Sequence, residues 1–289
     1  LLIFTKLFLK EHLFPMMVLF LPSLFLIAIG LGGILPGKKS ADWLFRPMND
    51  KLLLAGFFCG SLVMVLLGRF FILGHLPPAG DEFCYVFQGD LLAQGKLYAP
   101  SPELSDFFQS WSIMNDGRWY GKITIGWPLL LAIGRFLHCD FLIAPLCTAF
   151  SVILLYLTGR ELFGHYGGLV AAFLGMATPF FMLLGGTYFP HQATVLFVLL
   201  YLYALIKTKQ TSSWKYAMAA GFALFMMVLT RPGDGFIAFL GLMPLSFWIW
   251  HQSASKKTFL WQIMAIFAFF AAAATVLLLV NKAQTGDFL

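Results

Sequence analysis

Charge is scarce in this chain. Only 11% of its 289 residues are charged, whereas a water-soluble domain carries roughly 25% charged residues. Hydrophobic residues make up 60% of the sequence, and 33 of them are phenylalanine. A chain this apolar could not cover its surface in water, so the composition excludes a soluble globular protein. It predicts a polytopic membrane protein, for which the bilayer is the solvent.

Several chemical signatures are also missing. The sequence has no glycine-lysine phosphate loop, no HExxH, no GxSxG and no CxxC, which disfavours an ATP-driven pump or a zinc protease. Its 4 cysteines have no metal-like spacing. The net charge of +6 is dispersed through short loops between apolar runs. Nucleic acid is therefore not an expected partner, and positive-inside topology accounts for most of the basic residues.

Long apolar runs dominate the rest of the chain. A bilayer core requires about 20 apolar residues in a helix. The runs predict an all-α membrane protein, a polytopic bundle of about eight transmembrane helices. They fall at about 13–35, 52–74, 141–158, 168–186, 190–206, 216–230, 235–250 and 258–280.

The segment 75–140 is not a simple span. Its polar part contains most of the candidate catalytic and phosphate-binding residues. Its later part, 126–133, is apolar but short. We interpret 126–133 as an interfacial or re-entrant helix opened by Pro128, because proline suits the first turn of a helix.

Lysine and arginine set the expected orientation. Basic residues recur in the loops 36–51, 159–167, 207–215 and 251–257, which fall on one side if there are eight spans. By the positive-inside rule that side is cytoplasmic, so 75–140 faces outward as a juxtamembrane helical loop. We therefore expect an integral protein of the bacterial inner membrane, with its site facing outward.

Asp81 and Glu82 are the leading candidates for catalysis. They stand side by side directly after the apolar run 52–74, among aromatic residues that include Tyr85. A carboxylate can accept a proton, bind a metal or pair with a cation. Carboxylates held against apolar surface become usable general bases. The alternative is that both simply solvate the start of a loop.

Two cations follow at a turn. Arg118 and Lys122 lie four residues apart with aromatic residues between them, after a turn at 115–117 and ahead of the short helix. Cations in this setting suit a phosphate or pyrophosphate headgroup. Ordinary interfacial anchoring by Trp, Tyr and Lys remains the competing interpretation.

Three further polar residues stand at the ends of apolar runs. His191 follows Tyr188-Phe189-Pro190 and is either a hydrogen-bonded structural residue or a site-facing proton carrier. Arg231 either caps a helix and pairs with Asp234 or contacts a phosphate. Arg69 either snorkels toward the interface or pairs within the bundle.

The order of these features resembles the GT-C integral-membrane glycosyltransferases, in particular the family-39-like bacterial branch related to protein O-mannosyltransferases and aminoarabinose transferases. The resemblance covers about 52–289, while 1–51 adds an extra N-terminal span and a cytoplasmic loop. A further outward C-terminal domain is expected beyond the chain. The matching steps are Asp81-Glu82, Gly95-Lys96-Leu97-Tyr98, the block 121–130 with its Gly-x-Pro-Leu-Leu, Phe189-Pro190-His191, Thr230-Arg231-Pro232, and Asn281 with Thr285-Gly286-Asp287.

The resemblance implies transfer of a sugar from a polyprenyl-phosphate donor to a hydroxyl or phosphate of a glycan, lipid or protein acceptor at the outer face, with inversion. Asp81 would accept the proton of the attacking hydroxyl, and Glu82 would orient the loop. The donor phosphate would meet Lys122, Arg118 and Arg231. His191 and Tyr85 would face the site. The resemblance names no certain cofactor and leaves room for a divalent cation beside the acidic pair.

Two other classes of function stay open at this point. A lipid-linked saccharide flippase or transporter predicts polar residues lining mid-helix positions, and the spans after 140 contain almost none. A non-catalytic membrane scaffold predicts that Asp81, Lys122, His191 and Arg231 lie far apart.

Overall fold

A computed structural model describes residues 50–74, 80–241 and 256–288. The predicted span 13–35, the N-terminal region 1–49 and the second half of the predicted span 235–250 lie outside the described residues. Chain contacts divide the molecule into two compact units. The first unit comprises the described residues of 50–74 and 145–187, and the second comprises those of 80–144 and 188–288.

The described residues are mostly helical, as the composition predicts. The helices are α1 (Asp50–Gly68), which ends in a π-helical turn at Arg69–Leu73, α2 (Gly80–Ala93), α3 (Gly126–Phe136), α4 (Ile143–Ala177), α5 (Pro179–Gly185), α6 (His191–Thr211), α7 (Trp214–Thr230) and α8 (Lys256–Thr285). Short 3-10 turns occur at Ser105–Phe108 and Asp140–Leu142. Residues 232–241 are also helical.

This is an all-α membrane protein. Within the described residues, four stretches are long and apolar enough to cross a bilayer: Asp50–Leu73, Asp140–Ala177, His191–Thr211 and Lys256–Thr285. Helix α7 is apolar but has only 17 residues. The total of eight spans stays a prediction.

The predicted loop 159–167 is shorter than expected. Helical backbone occupies both sides of Gly164, where the chain reverses with a φ of 77°, a conformation that glycine adopts at little steric cost. The two arms of α4 then pack against each other through glycines. A β-carbon at Gly168 would lie 2.6 Å from the carbonyl oxygen of Tyr156, and one at Gly159 would lie 2.9 Å from that of Gly167. Small residues permit this close approach in a membrane, where packing replaces the hydrophobic effect.

The predicted span 168–186 is interrupted. Helix α4 ends at Ala177, and α5 begins again at Pro179 after Thr178, whose extended backbone (φ −84°, ψ 105°) breaks the helix. Proline lacks the N–H that a continuing helix would need, and it restricts the residue before it. The expected single span is therefore a helix followed by a separate seven-residue helix.

The first unit has an apolar core. Phe57 lies between the rings of Tyr156 and Phe173, with ring centroids 5.6 Å and 5.4 Å away. Arg69 is buried and donates to the carbonyl of Gly186, so it pairs within the bundle rather than snorkelling. The remaining buried core residues of this unit are Val65, Val152, Leu169, Ala172, Met176 and Met182.

The second unit contains a small sheet that the helical prediction for 75–140 did not include. Strands β1 (Ala99–Pro100), β2 (Ile113–Asp116) and β3 (Arg118–Gly121) pair antiparallel in the order β1-β3-β2. Gly117, with φ 73°, makes the turn between β2 and β3 where the sequence predicts one. Strands this short leave little periodic signal, which is why helix was the default expectation.

The short apolar helix was predicted correctly. Helix α3 begins at Gly126, with Pro128 in its first turn. It packs on α2, where a β-carbon at Gly89 would lie 3.1 Å from Leu131. In the same unit, α7 packs against α6, α8 and α3. This arrangement brings the start of α2, the end of β3 and the end of α7 together.

Candidate active site

The acidic pair opens a helix. Asp81 and Glu82 lie in the first turn of α2, where the positive end of the helix dipole favours carboxylates. Because successive helical residues point about 100° apart, the two side chains enter different surroundings. Their roles can therefore differ although they are neighbours in sequence.

Glu82 is completely buried. Its Oε2 accepts a hydrogen bond from the backbone N–H of Tyr188 at 2.7 Å. The carbonyl of Tyr188 in turn accepts from Nε1 of the buried Trp127 at 2.6 Å. The Tyr188 hydroxyl donates to Asp140 at 2.9 Å. Glu82 thus ties the start of α2 to the segment that leads into α6.

Asp81 is placed differently. Its Oδ1 is buried, and among the described residues it accepts no hydrogen bond. Buried polar atoms in native proteins are nearly always hydrogen-bonded, so an orphaned carboxylate oxygen indicates a position that a ligand or water completes. Asp81 also acts on its helical neighbours: burial raises the pKa of Cys84 to about 11, and the charge of Asp81 contributes to the rise.

Cys84 connects the acidic turn to the end of β3. Its thiol donates to the carbonyl of Ser112 at 3.0 Å. A β-carbon at Gly121 would lie 2.7 Å from its sulfur, so only glycine fits at that position. The backbone N–H of Lys122 also faces the sulfur and lowers its pKa. Lys122 therefore follows immediately after the contact with α2, and its side chain is exposed.

A buried amide holds the same junction. Gln88 accepts from the N–H of Gly121 at 2.9 Å and donates to the carbonyl of Leu97 at 3.0 Å. Its side chain is almost fully buried. The sequence analysis did not select Gln88, because a lone glutamine in an apolar helix has no motif that marks it.

The loop after Lys122 packs on the end of α7. The Thr124 hydroxyl donates to the carbonyl of Thr230 at 2.6 Å. A β-carbon at Gly126 would lie 2.5 Å from the backbone carbon of Leu229. This close approach explains the glycine of the Gly-x-Pro-Leu-Leu step, and it places Arg231 next to the loop that carries Lys122.

Arg231 directly follows the end of α7. Its Nε lies 3.0 Å from a carboxylate oxygen of Asp234, in a half-exposed ion pair. Its charge reaches Tyr85 on α2: burial raises the pKa of that phenol, Asp81 raises it further, and Arg231 lowers it. Asp81, Tyr85 and Arg231 therefore lie within electrostatic reach of one another.

His191 completes the group at the first residue of α6. It lies within electrostatic reach of both Arg231 and Asp234. Its ring contacts Phe189, with the centroids 5.5 Å apart, and its Nδ1 is buried without a hydrogen bond to any described residue. The Thr230 hydroxyl is likewise buried and unbonded within the described part of the chain.

Arg118 is engaged elsewhere. Its guanidinium donates to the carbonyls of Ala283 at 2.9 Å and Gln284 at 3.1 Å, at the end of α8, and lies 5.0 Å from the ring centre of Tyr98. These contacts supply hydrogen-bond donors to carbonyls at the end of the helix, which have no donor within the helix itself. The structure gives Arg118 a helix-capping contact, and our proposal for the phosphate does not include it.

The acidic pair does not resemble a protein-held metal centre. Within the described ranges, no three His, Cys, Asp or Glu side chains cluster in a way that could hold a metal ion. Glu82 directs its Oε2 to the N–H of Tyr188. The reaction proposed below has no step on a metal ion.

Residues 137–278 match the model of the dolichyl-phosphate-mannose-protein mannosyltransferase family. The chain is also 26% identical over 159 residues to the dolichyl-diphosphooligosaccharide–protein glycosyltransferase subunit STT3B of Arabidopsis thaliana, a match that covers 48% of this chain and 21% of that protein. Both similarities are to protein glycosyltransferases, and the family match covers just under half of this chain. The chain spans about a fifth of the length of that plant relative.

The region matched to the family includes His191 and Arg231 and begins after α3. Asp81, Glu82 and Lys122 precede it, so they join the site through the contacts of α2 and β3 described above. The sequence analysis missed Tyr188, Asp140 and Gln88. Tyr188 acts mainly through its backbone, which no side-chain pattern reveals.

Proposed function

We propose that this GT-C relative transfers a sugar from a polyprenyl-phosphate donor to an acceptor hydroxyl at the outer face of the membrane. The observation that carries the proposal is the buried Oδ1 of Asp81, which is unbonded within the described residues, on a helix whose Tyr85 feels the charges of both Asp81 and Arg231. A base and a cation near one another suit a reaction in which a proton leaves one substrate and negative charge develops on the other.

The proposed reaction is a single displacement. Asp81 accepts the proton of the acceptor hydroxyl. At the same time, the oxygen of that hydroxyl forms a bond to the anomeric carbon of the sugar. The bond between that carbon and the phosphate oxygen breaks, and the electron pair leaves with the polyprenyl phosphate. The sugar is inverted because the acceptor attacks the face opposite the leaving group.

Lys122 and Arg231 are the proposed partners of the leaving phosphate. Lys122 is exposed and forms no ion pair within the described residues. Arg231 is half-exposed in its pair with Asp234, so a phosphate can compete for it. Fixed cations stabilise most where charge develops, in a site that is shielded from water. His191 and Tyr85 would line the same region and orient the sugar.

The direction of the site rests on the loop charges. The basic loops named above predict a cytoplasmic side, and the acidic turn of α2 would then face outward, where lipid-linked donors are consumed. The bacterial inner membrane is the proposed location.

The test is a transfer assay in membranes that contain the full-length protein, with radiolabelled polyprenyl-phosphate sugars as donors and extracted envelope glycans, lipids and proteins as acceptors. Replacing Asp81 with Asn should reduce transfer by about 10²–10⁴-fold, since it removes the base, with protein abundance unchanged. Asp116→Asn is the matched control, because Asp116 is exposed at the tip of the β2–β3 turn. Full activity of the Asp81 variant would contradict the proposed role.

A further inference from the structure

The loop between β1 and β2 exposes a group of large apolar side chains that no step above uses. Leu104, Phe107, Phe108 and Trp111 are 65%, 83%, 48% and 75% exposed. We call these four residues the aromatic edge. Phe107 and Phe108 belong to the 3-10 turn Ser105–Phe108. Isolated exposed apolar residues need no explanation, but four within eight positions of one loop indicate a surface that contacts something apolar.

The sheet that carries this loop is fixed to the end of a membrane-spanning helix. Arg118 of β3 caps the carbonyls of Ala283 and Gln284 in α8. The Gln284 side chain donates to the carbonyl of Leu97 at 3.1 Å, just before β1. Both contacts therefore join the base of the loop to the last turn of α8.

That last turn lies close to the bilayer boundary. The apolar sequence of α8 ends at Val280 and is followed by Asn281 and Lys282. Ala283 is three residues beyond Val280, about 5 Å along the helix axis at 1.5 Å per residue. The capping contacts thus hold the sheet at the depth of the lipid headgroups, where tryptophan and other aromatic side chains are enriched.

The loop charges favour apolar rather than electrostatic contact. Between Tyr98 and Arg118 the chain has no lysine or arginine, and it carries Glu103, Asp106 and Asp116. A negatively charged surface is not attracted to anionic lipid headgroups and would be repelled by them. Any attachment of the aromatic edge to a membrane must come from burial of its side chains.

We propose that the aromatic edge inserts into the outer interface of the bilayer and anchors the loop there. The edge adjoins the first turn of α2, because a β-carbon at Gly80 would lie 4.0 Å from Nε1 of Trp111. Insertion holds this turn at a fixed depth. The inference does not depend on the reaction proposed above.

The test uses the full chain reconstituted into phosphatidylcholine vesicles, with one environment-sensitive fluorophore on an introduced cysteine. The exposed Cys59 and the half-buried Cys139 are first replaced by Ser. Phe107→Cys is the test position, and Asp106→Cys, its exposed neighbour on the same turn, is the matched control. Folding is checked by size-exclusion chromatography of each variant in detergent.

Insertion predicts that a lipid-attached quencher quenches the label at 107 and not at 106, while aqueous iodide does the reverse. The pattern should persist from low to high salt, and anionic lipid should not strengthen it. Equal access of iodide to both positions would overturn the proposal and indicate that the surface meets a water-borne partner. Quenching that requires anionic lipid and disappears in high salt would overturn it as well.

A second measurement guards against a label that perturbs the loop. With the fluorophore at Trp111→Cys, the further change Phe107→Ser should lower the lipid-exposed population by about tenfold, because one aromatic side chain no longer contributes its burial. No change on removal of Phe107 would show that the edge does not act as an anchor.

Discussion

The two units of this protein bury different kinds of polar group. In the first unit, Ser61 and Ser151 donate to carbonyls of their own helices at 2.6 Å and 2.8 Å, and the buried guanidinium of Arg69 donates to the carbonyl of Gly186. In the second unit, the carboxylate of Glu82 and the amide of Gln88 are buried and join separate elements. Polar groups buried across elements in a membrane protein are costly and usually functional. The buried groups named in the first unit are donors to backbone carbonyls, whereas the second unit buries a carboxylate, and it is there that we propose the chemistry.

The largest expected effect separates catalysis from packing. Lys122→Met should lower the transfer rate by about 10²–10³-fold, the typical effect of removing one group that stabilises developing charge. Thermal stability should change little, because the side chain is exposed. The measurement is initial rate against donor concentration, together with a thermal unfolding curve in detergent. Lys96→Met, an exposed lysine at the end of α2, is the control and should keep full activity.

The opposite outcome is expected in the first unit. Phe57→Ala removes a buried ring that packs on Tyr156 and Phe173. The cost in a soluble core is about 3–5 kcal/mol, and it should be smaller in lipid, where no hydrophobic force acts between helices. The yield of folded protein should fall while the rate per folded molecule is kept. A specific loss of rate would mean that the first unit does more than pack.

Substitutions of Glu82 test whether the two neighbouring carboxylates, Asp81 and Glu82, have separate roles. Glu82→Ala leaves the N–H of Tyr188 without its acceptor and should cost about 1–3 kcal/mol of stability. Glu82→Gln keeps an acceptor oxygen and should restore most of that stability. Thermal unfolding of both variants, compared with Asp81→Asn, gives the answer. If Glu82→Gln is as stable as the native chain and yet inactive, Glu82 acts in the chemistry itself.

Substitution of Arg118 distinguishes a helix-capping contact from a contact with the donor phosphate. Arg118→Gln removes charge-assisted bonds to the end of α8 and should cost about 1–2 kcal/mol of stability. The Michaelis constant for the donor should stay unchanged. A rise in that constant without loss of stability would return Arg118 to the phosphate, where the sequence pattern first suggested it.

The smallest effect is expected at the surface of the first unit. Arg160 and Asp50 form an ion pair at 2.9 Å, with side chains 31% and 60% exposed. Such pairs contribute about 0–1 kcal/mol, and salt screens them. Asp50→Asn should therefore shift the unfolding temperature only slightly, with a shift that shrinks as salt is raised. A large shift would mean that this end of α1 is more tightly packed than its exposure suggests.

The sequence predicted some particulars well. Helix α3 contains Pro128 in its first turn, Gly117 lies in the turn predicted at 115–117, and the Arg231–Asp234 pair is one of the two interpretations offered for Arg231. Each depends on local signals: proline in a first turn, an Asn-Asp-Gly turn sequence, and opposite charges three residues apart. Those signals act within one or two helical turns, so they can be recognised without the fold.

Other features depend on contacts between distant segments. The pairing of β1 with β3, the capping of α8 by Arg118 and the bond of Glu82 to Tyr188 join residues from 18 to 166 positions apart. No local pattern encodes such pairings, because the partner of a backbone N–H or carbonyl is decided by whichever segment packs beside it. Arg118 illustrates this: a cation beside glycine and aromatic residues suits a phosphate, and no local signal indicated that it would also donate to the carbonyls at the end of α8.

The sequence by itself determined the class of this protein: its low charge and long apolar runs require a lipid solvent, and its loop charges predict an orientation. Only the tertiary structure decided how two adjacent carboxylates differ. One turn of α2 directs Glu82 to the N–H of Tyr188 and leaves an oxygen of Asp81 buried and unbonded within the described residues. The reason is geometric, since neighbouring helical side chains point about 100° apart and meet different neighbours.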